Sequence, residues 1–108
     1  MPDIRPLGSL QLQVLASVAR LRHQAYGMAI RRDLIESSGR DLSIGALYTT
    51  LERLEKKGYL SSWEGDPTPE RGGRAKRFFR IEGCGLEALN QSRDAMTRLW
   101  PDLVPEGV

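Results

Sequence analysis

Apolar residues recur at steps of three and four through Leu7, Leu10, Val14, Val18 and Leu21, which places them along one side of an amphipathic helix. Leu12, Leu15 and Ala19 form a second apolar strip on a different side of that helix. This is more than one small core needs, so another surface is expected to cover it. A second helix is predicted over Ala25 to Ser38, with Tyr26, Ile30 and Leu34 at spacing four and Gly39 as its C-terminal cap. Ser43 is placed to cap a third helix, although Ala46 stands where a glutamate would complete a capping box. In that helix Ile44, Leu47, Leu51 and Leu54 point one way, while Ala46, Thr49, Arg53, Lys56 and Lys57 point roughly the other way, before Gly58 ends it.

The period changes at Tyr59. "YLSSWEG" and "AKRFFRI" are rich in aromatic and hydroxyl residues and flank the turn formers of "DPTPERGGR", the pattern of a β-hairpin with a long tip. Alternation puts Phe79 and Ile81 on the face that covers the helices and Phe78 and Arg80 on the other. "GLEALNQSRDAMTRLW" returns to helical spacing, with Leu86, Leu89, Met96, Leu99 and Trp100 on one broad apolar side and Pro101 as a stop. The predicted fold is mainly α with a small β-hairpin: a winged helix-turn-helix with an additional C-terminal dimerisation helix. Residues 1–81 would form the DNA-binding region and residues 82–108 the dimerisation helix and tail, all within one structural domain.

A chain of 108 residues suits one hydrophobic core. Its 40% hydrophobic and 28% charged residues are an ordinary globular balance. Cys84 is the single cysteine, so an intramolecular disulfide and a multi-cysteine zinc site are excluded. With no signal-peptide pattern and no apolar run of membrane-spanning length, a cytoplasmic protein without membrane contact is expected.

The net charge of +2 names no partner, but its distribution does more. Arg71 to Arg80 holds Arg71, Arg74, Lys76, Arg77 and Arg80 with no acidic residue, whereas the region from Glu82 onward is net acidic. Such a cluster fits a polyanion. DNA asks for clustered cations, a narrow element for the major groove and side chains that reach base edges. Gly45 and Ala46 permit close approach early in the third helix, and Thr49 and Arg53 offer hydrogen bonds further along. Gly72 and Gly73 let the hairpin tip turn sharply and bring backbone N–H groups to a phosphate, with Arg71, Arg74, Lys76 and Arg77 on either side.

"AYGMAIRRDL", "LSIGALYTTLERLEKKGYLSS" and "PERGGRAKRFFRIEGCGLEAL" resemble, in order, the signatures of the PadR-like transcriptional regulators, over nearly the whole chain from Leu7 to Leu89. The resemblance implies a dimeric repressor, joined largely through its terminal helices, that binds a twofold-related double-stranded DNA operator and loosens on binding an effector. Carried onto these positions, it places Tyr26, Ser43, Gly45, Ala46, Tyr48 and Thr49 at or near the DNA and Arg74 and Lys76 in the wing. For Tyr48 a half-buried ring with a surface hydroxyl competes with base contact. Glu82 departs from the family's usual threonine, and with "GCG" behind it the last helix is expected to start late.

The surplus strip of Leu12 and Leu15, together with Leu89, Met96, Leu99 and Trp100, is assigned to a homodimer interface. Trp100 is also the candidate to line a cavity for a small aromatic effector, with interface packing as its competing role. His23 reads as an exposed loop residue, and Cys84 has no second cysteine within the chain to resolve an oxidised form, which leaves an intersubunit disulfide or redox switch as its minor reading. No metal, cofactor or catalytic residue is expected. Regulation of adjacent genes by repression is the first functional reading. A protein-interaction module whose basic wing binds an acidic protein partner remains the alternative, because fold alone does not exclude it.

Overall fold

The computed structural model describes residues 7–65 and 76–100. The expected roles of Arg71, Gly72, Gly73 and Arg74 and the stop at Pro101 fall outside those residues. The elements are α1 (Ser9–Leu21), α2 (Gly27–Ser38), α3 (Ile44–Lys56), β1 (Leu60–Glu64), β2 (Arg77–Ile81) and α4 (Gly83–Leu99), with one 3-10 turn over Arg22–Gln24 between the first two helices. β1 and β2 pair antiparallel, with Leu60 opposite Ile81 and Glu64 opposite Arg77.

α1 is the central helix and touches α2, α3, α4 and β2. Surrounded in this way, it buries Val14, Leu15, Ser17 and Val18 together, an arc wider than one stripe. Leu15 is therefore a correction to the expected interface: it is fully enclosed in the chain's own core, where no partner can reach it. Ile30 and Leu34 from α2, Leu47, Leu51 and Leu54 from α3, and Leu60 and Phe79 from the hairpin complete that core. Ile44 leaves the predicted stripe and is 42% exposed, because the first turn of α3 projects past the core.

Local chemistry sets the ends of the helices. Gly39 takes a left-handed φ of 71° and its N–H bonds the Ile35 carbonyl, closing α2 as expected. The Ser43 hydroxyl accepts the Ala46 N–H at 3.1 Å and caps α3. Between them the Arg31 guanidinium donates to the Leu42 carbonyl at 2.7 Å and to Asp41 at 2.9 Å. These bonds staple the turn and hold α2 and α3 at a fixed angle. α2 starts two residues later than predicted, because Ala25 and Tyr26 are drawn into pairing with β2: Tyr26 bridges Phe78, and the Phe79 N–H donates to the Ala25 carbonyl at 2.8 Å.

α4 does not start late. Glu82 sits extended as its N-cap, its N–H bonded to the Tyr59 carbonyl at 2.9 Å. Its carboxylate turns away from the helix to accept from Ser61 at 3.0 Å. The run "GCG" serves packing instead. A Cβ at buried Gly85 would stand 2.4 Å from the Tyr59 carbonyl oxygen, so only glycine lets the first turn of α4 lie against the start of β1. Cys84 is exposed and donates its thiol hydrogen to the Gly58 carbonyl at 3.0 Å.

A polar knot ties α1 to α2. Buried Ser17 donates to Asp33 at 2.7 Å, Arg20 pairs with the same carboxylate and also reaches Ser37, and Ser37 donates to Asp33 at 3.3 Å. Partial burial pushes the Asp33 carboxyl up, but the bonds from Ser17 and Arg20, the Arg20 charge and the Ser37 bond outweigh it. They hold the group below the usual carboxylate range.

Two stability predictions follow from this packing. Gly85→Ala is expected to cost about 1–3 kcal/mol, because the helix must back away from β1. Gly83→Ala, whose added Cβ meets nothing within 4 Å, should melt at or slightly above the parent's temperature. Equal melting of the two variants would contradict the docking of α4. Asp33→Asn should lose about 1–3 kcal/mol near neutral pH. A carboxyl with a depressed folded-state pKa stabilises the fold above its ordinary pKa and loses that contribution as pH falls through the folded value. The gap between variant and parent in denaturant titrations should therefore close on acidification.

Candidate nucleic-acid interface

α3 presents an exposed face of small and polar residues. Ser43, Gly45, Ala46, Thr49 and Arg53 are all exposed, and the spacing of four from Gly45 to Thr49 to Arg53 aligns them along the helix. Nothing approaches within 4 Å of a Cβ placed on Gly45, so a flat surface can come directly against the backbone there. Thr49 gives its hydroxyl hydrogen to the Gly45 carbonyl at 3.0 Å. Its oxygen is left as an acceptor and its methyl as an apolar contact, where the sequence suggested a donor. The Arg53 side chain has no hydrogen bond or ion pair to any described residue. On the opposite side Leu47, Thr50, Leu51 and Leu54 are buried, which fixes the rotation of the helix and hence the direction of the exposed face.

Tyr48 lies between the two faces. Its ring is half-buried 6.2 Å from the Phe79 ring. A Cβ on Gly27 would stand 2.4 Å from the Tyr48 hydroxyl, so the glycine at the start of α2 makes room for the phenol. Tyr48 is thus a packing residue with a polar end, held between α2 and the hairpin.

At the hairpin stem, Tyr26 takes a similar supporting part. Its ring meets Phe78 edge-on at 5.6 Å, Phe78 stacks on Trp63 at 5.8 Å, and the Lys76 ammonium lies 4.2 Å over the Tyr26 ring. Lys76 remains exposed while this cation–π contact restrains its stem. Of the sequence-assigned wing cations in the described region, Lys76 is the one directed to solvent. Arg77 is not: alternation along β2 places it on the face of Phe79 and Ile81. Its guanidinium there pairs with Glu55 on α3 at 2.7 Å and with Ser62 on β1 at 3.0 Å, contacts that its assignment to phosphate did not foresee. Glu55 escaped the sequence reading altogether. The signal was available in the shared parity of positions 77, 79 and 81, which turns residue 77 toward the helices.

Met96 and Leu99 on α4 and Trp100 directly after it are each more than half exposed, whereas Leu89 packs against the core and Leu12 is half-buried. Among the described residues no group of His, Cys, Asp and Glu could hold a metal ion, and no helix is long and apolar enough to cross a membrane.

Several solved structures share this architecture. A PadR family transcription regulator from hypervirulent Clostridium difficile R20291 superposes with a TM-score of 0.69 at 19% identity, covering 85% of this chain and 91% of that one. A transcriptional regulator from Clostridium thermocellum gives 0.67 at 20% identity, with 86% and 90% covered. A PadR family transcriptional regulator from Eggerthella lenta DSM 2243 gives 0.63 at 26% identity, with 83% and 80% covered. No curated protein matches the sequence. The family model described as "Transcriptional regulator PadR-like family" matches residues 14–91. Together with the winged helix-turn-helix built above, that match over most of the chain means that this protein belongs to the PadR-like family of transcriptional regulators.

Proposed function

We propose that this protein is a homodimeric repressor of adjacent genes. In this reading α3 enters the major groove of a twofold-related operator and the wing grips the flanking phosphates. The observation that carries it is the exposed face of α3 from Ser43 to Arg53. It combines small residues for close approach, a threonine acceptor and methyl, and a guanidinium unpaired among the described residues, and it is aimed outward by the buried stripe behind it. Residues 1–81 act as the DNA-binding region. Ser43 and Lys76 meet phosphate, Gly45, Ala46 and Thr49 face base edges, and Arg53 donates to a base or a phosphate. Tyr26 and Tyr48 support the surface from behind. Arg71, Gly72, Gly73 and Arg74 extend the grip by the charge and turn chemistry of their sequence.

Residues 82–108 act as the dimerisation region. A twofold-related operator needs two copies of α3, and the apolar surface of Met96, Leu99 and Trp100 is what a second copy would bury. In this reading half-buried Leu12 and Leu89 contribute to the same interface. Trp100 packs in the interface and, with its mate from the second copy, offers a flat apolar wall for a small aromatic effector that releases the DNA.

A duplex enriched by the protein from a random-sequence pool provides the test. Binding should weaken steeply with salt, and Lys76→Ala should flatten the log–log salt slope by roughly one unit. An unchanged slope would remove Lys76 from the phosphates, and failure to enrich any duplex would remove the DNA reading. Met96→Glu should shift the protein from dimer to monomer in sedimentation equilibrium at about micromolar concentration, as expected when a charge enters an apolar interface. A parent protein that sediments as a monomer there would refute the dimer.

A further inference from the structure

We propose that Glu55 and Arg77 are positioning residues, whose ion pair sets the angle between the wing and the recognition helix and withholds Arg77 from the DNA. The proposal rests on the DNA-binding reading above and adds to it a device for placing the two contact elements. Glu55 uses both carboxylate oxygens: one accepts from Arg77 at 2.7 Å, the other from Ser62 at 2.7 Å. Arg77 in turn donates to the Ser62 oxygen at 3.2 and 3.0 Å and lies over the Phe79 ring, its guanidinium carbon 5.3 Å from the ring centre. Three elements, α3, β1 and β2, therefore meet at one closed cluster of hydrogen bonds.

Its position gives it leverage. The base of the hairpin, at Leu60 opposite Ile81, is already held by the core. Arg77 pairs with Glu64 at the far end of the ladder, about 13 Å further out at the rise of an extended strand. Phe79 and the Tyr26–Phe78 bridge hold the stem on the flank of α2, which leaves the flank that faces α3 to be tied at its outer end. The cluster restrains it near the end that carries Lys76. With the side chains of Arg77 and Glu55 only 39% and 31% exposed, the pair is screened less than one in open solvent.

Electrostatics supplies a second reason for the pairing. A lone carboxylate near the C-terminal end of a helix that lies in a groove of DNA would repel phosphates. Glu55 is neutralised locally by Arg77, and Arg77 is spent in doing so, so the pair contributes orientation and no net charge. This makes the sign of one substitution decisive. Glu55→Gln removes a negative charge, and Coulomb attraction alone would tighten DNA binding. If the carboxylate positions the wing, binding to a selected duplex must weaken instead.

The test uses the full-length parent, Glu55→Gln, Arg77→Gln, the double variant and Arg77→Lys, each checked for folding by circular dichroism. In the free protein, residual dipolar couplings of residues 60–64 and 77–81 relative to those of α3 report the hairpin angle without DNA. The expected result is reoriented or averaged strand couplings in both Gln variants, with the core unaltered. On a duplex enriched by the parent, affinity should drop about fivefold or more for each single variant, and the double variant should be no worse than either single one, as one shared interaction requires. Arg77→Lys, which keeps the charge without the fork, should recover part of the loss. Tighter binding by Glu55→Gln, a salt slope flattened by about one unit in Arg77→Gln, or unchanged couplings would each overturn the proposal. If no duplex is enriched, the DNA reading falls, and the couplings alone decide whether the pair orients the hairpin.

Discussion

The structure depends on the burial of one phenylalanine. Phe79 comes from a two-stranded ribbon that would be only marginally stable alone, and it is completely enclosed among α1, α3 and the turn before α2. Its backbone N–H reaches the Ala25 carbonyl, so side chain and main chain fasten the same point of β2 to the helical body. Full burial of such a ring is worth about 1.5–3 kcal/mol relative to exposure. That anchor converts a hairpin and a helix-turn-helix into one rigid surface. Around it the remaining polar ties become intelligible: Tyr26 and Phe78 on one flank of the stem, Glu55, Arg77 and Ser62 on the other.

The partition of charged groups follows from the same anchor. Once the hairpin lies against α3, a basic residue on its inner face must find a partner or stay partly desolvated without one, and Arg77 finds Glu55. A basic residue one position earlier faces outward, and Lys76 stays in solvent over an aromatic ring. Adjacent cations thus acquire different chemistry from strand parity alone. The knot of Ser17, Arg20, Asp33 and Ser37 is a comparable tie between α1 and α2, made of residues outside the proposed DNA surface.

Glycine placement shows how local sequence serves long-range geometry. Gly27 and Gly85 stand where a Cβ would strike the Tyr48 phenol and the Tyr59 carbonyl. Each permits a close approach between elements distant in sequence. The run around Cys84 looked like a weak start to the last helix when judged by propensity. Packing against β1 outweighs that weakness, and the helix begins directly after Glu82.

Periodicity and capping chemistry determined the element order, the buried stripe of α3 behind its polar face, the Ser43 and Gly39 caps, and the inward direction of Phe79, because each depends on neighbours within a few residues along the chain. The motif order also carried the family. What the tertiary structure alone decided concerns residues whose environment is made by distant segments. Leu15 became core because four elements surround α1, and Tyr26 left its helix to pair with Phe78. Arg77, read along the chain as one more exposed cation, pairs with Glu55, 22 residues away. The energy of a contact is set by which groups meet, and a linear pattern records direction and period but not the identity of the group waiting on the other side.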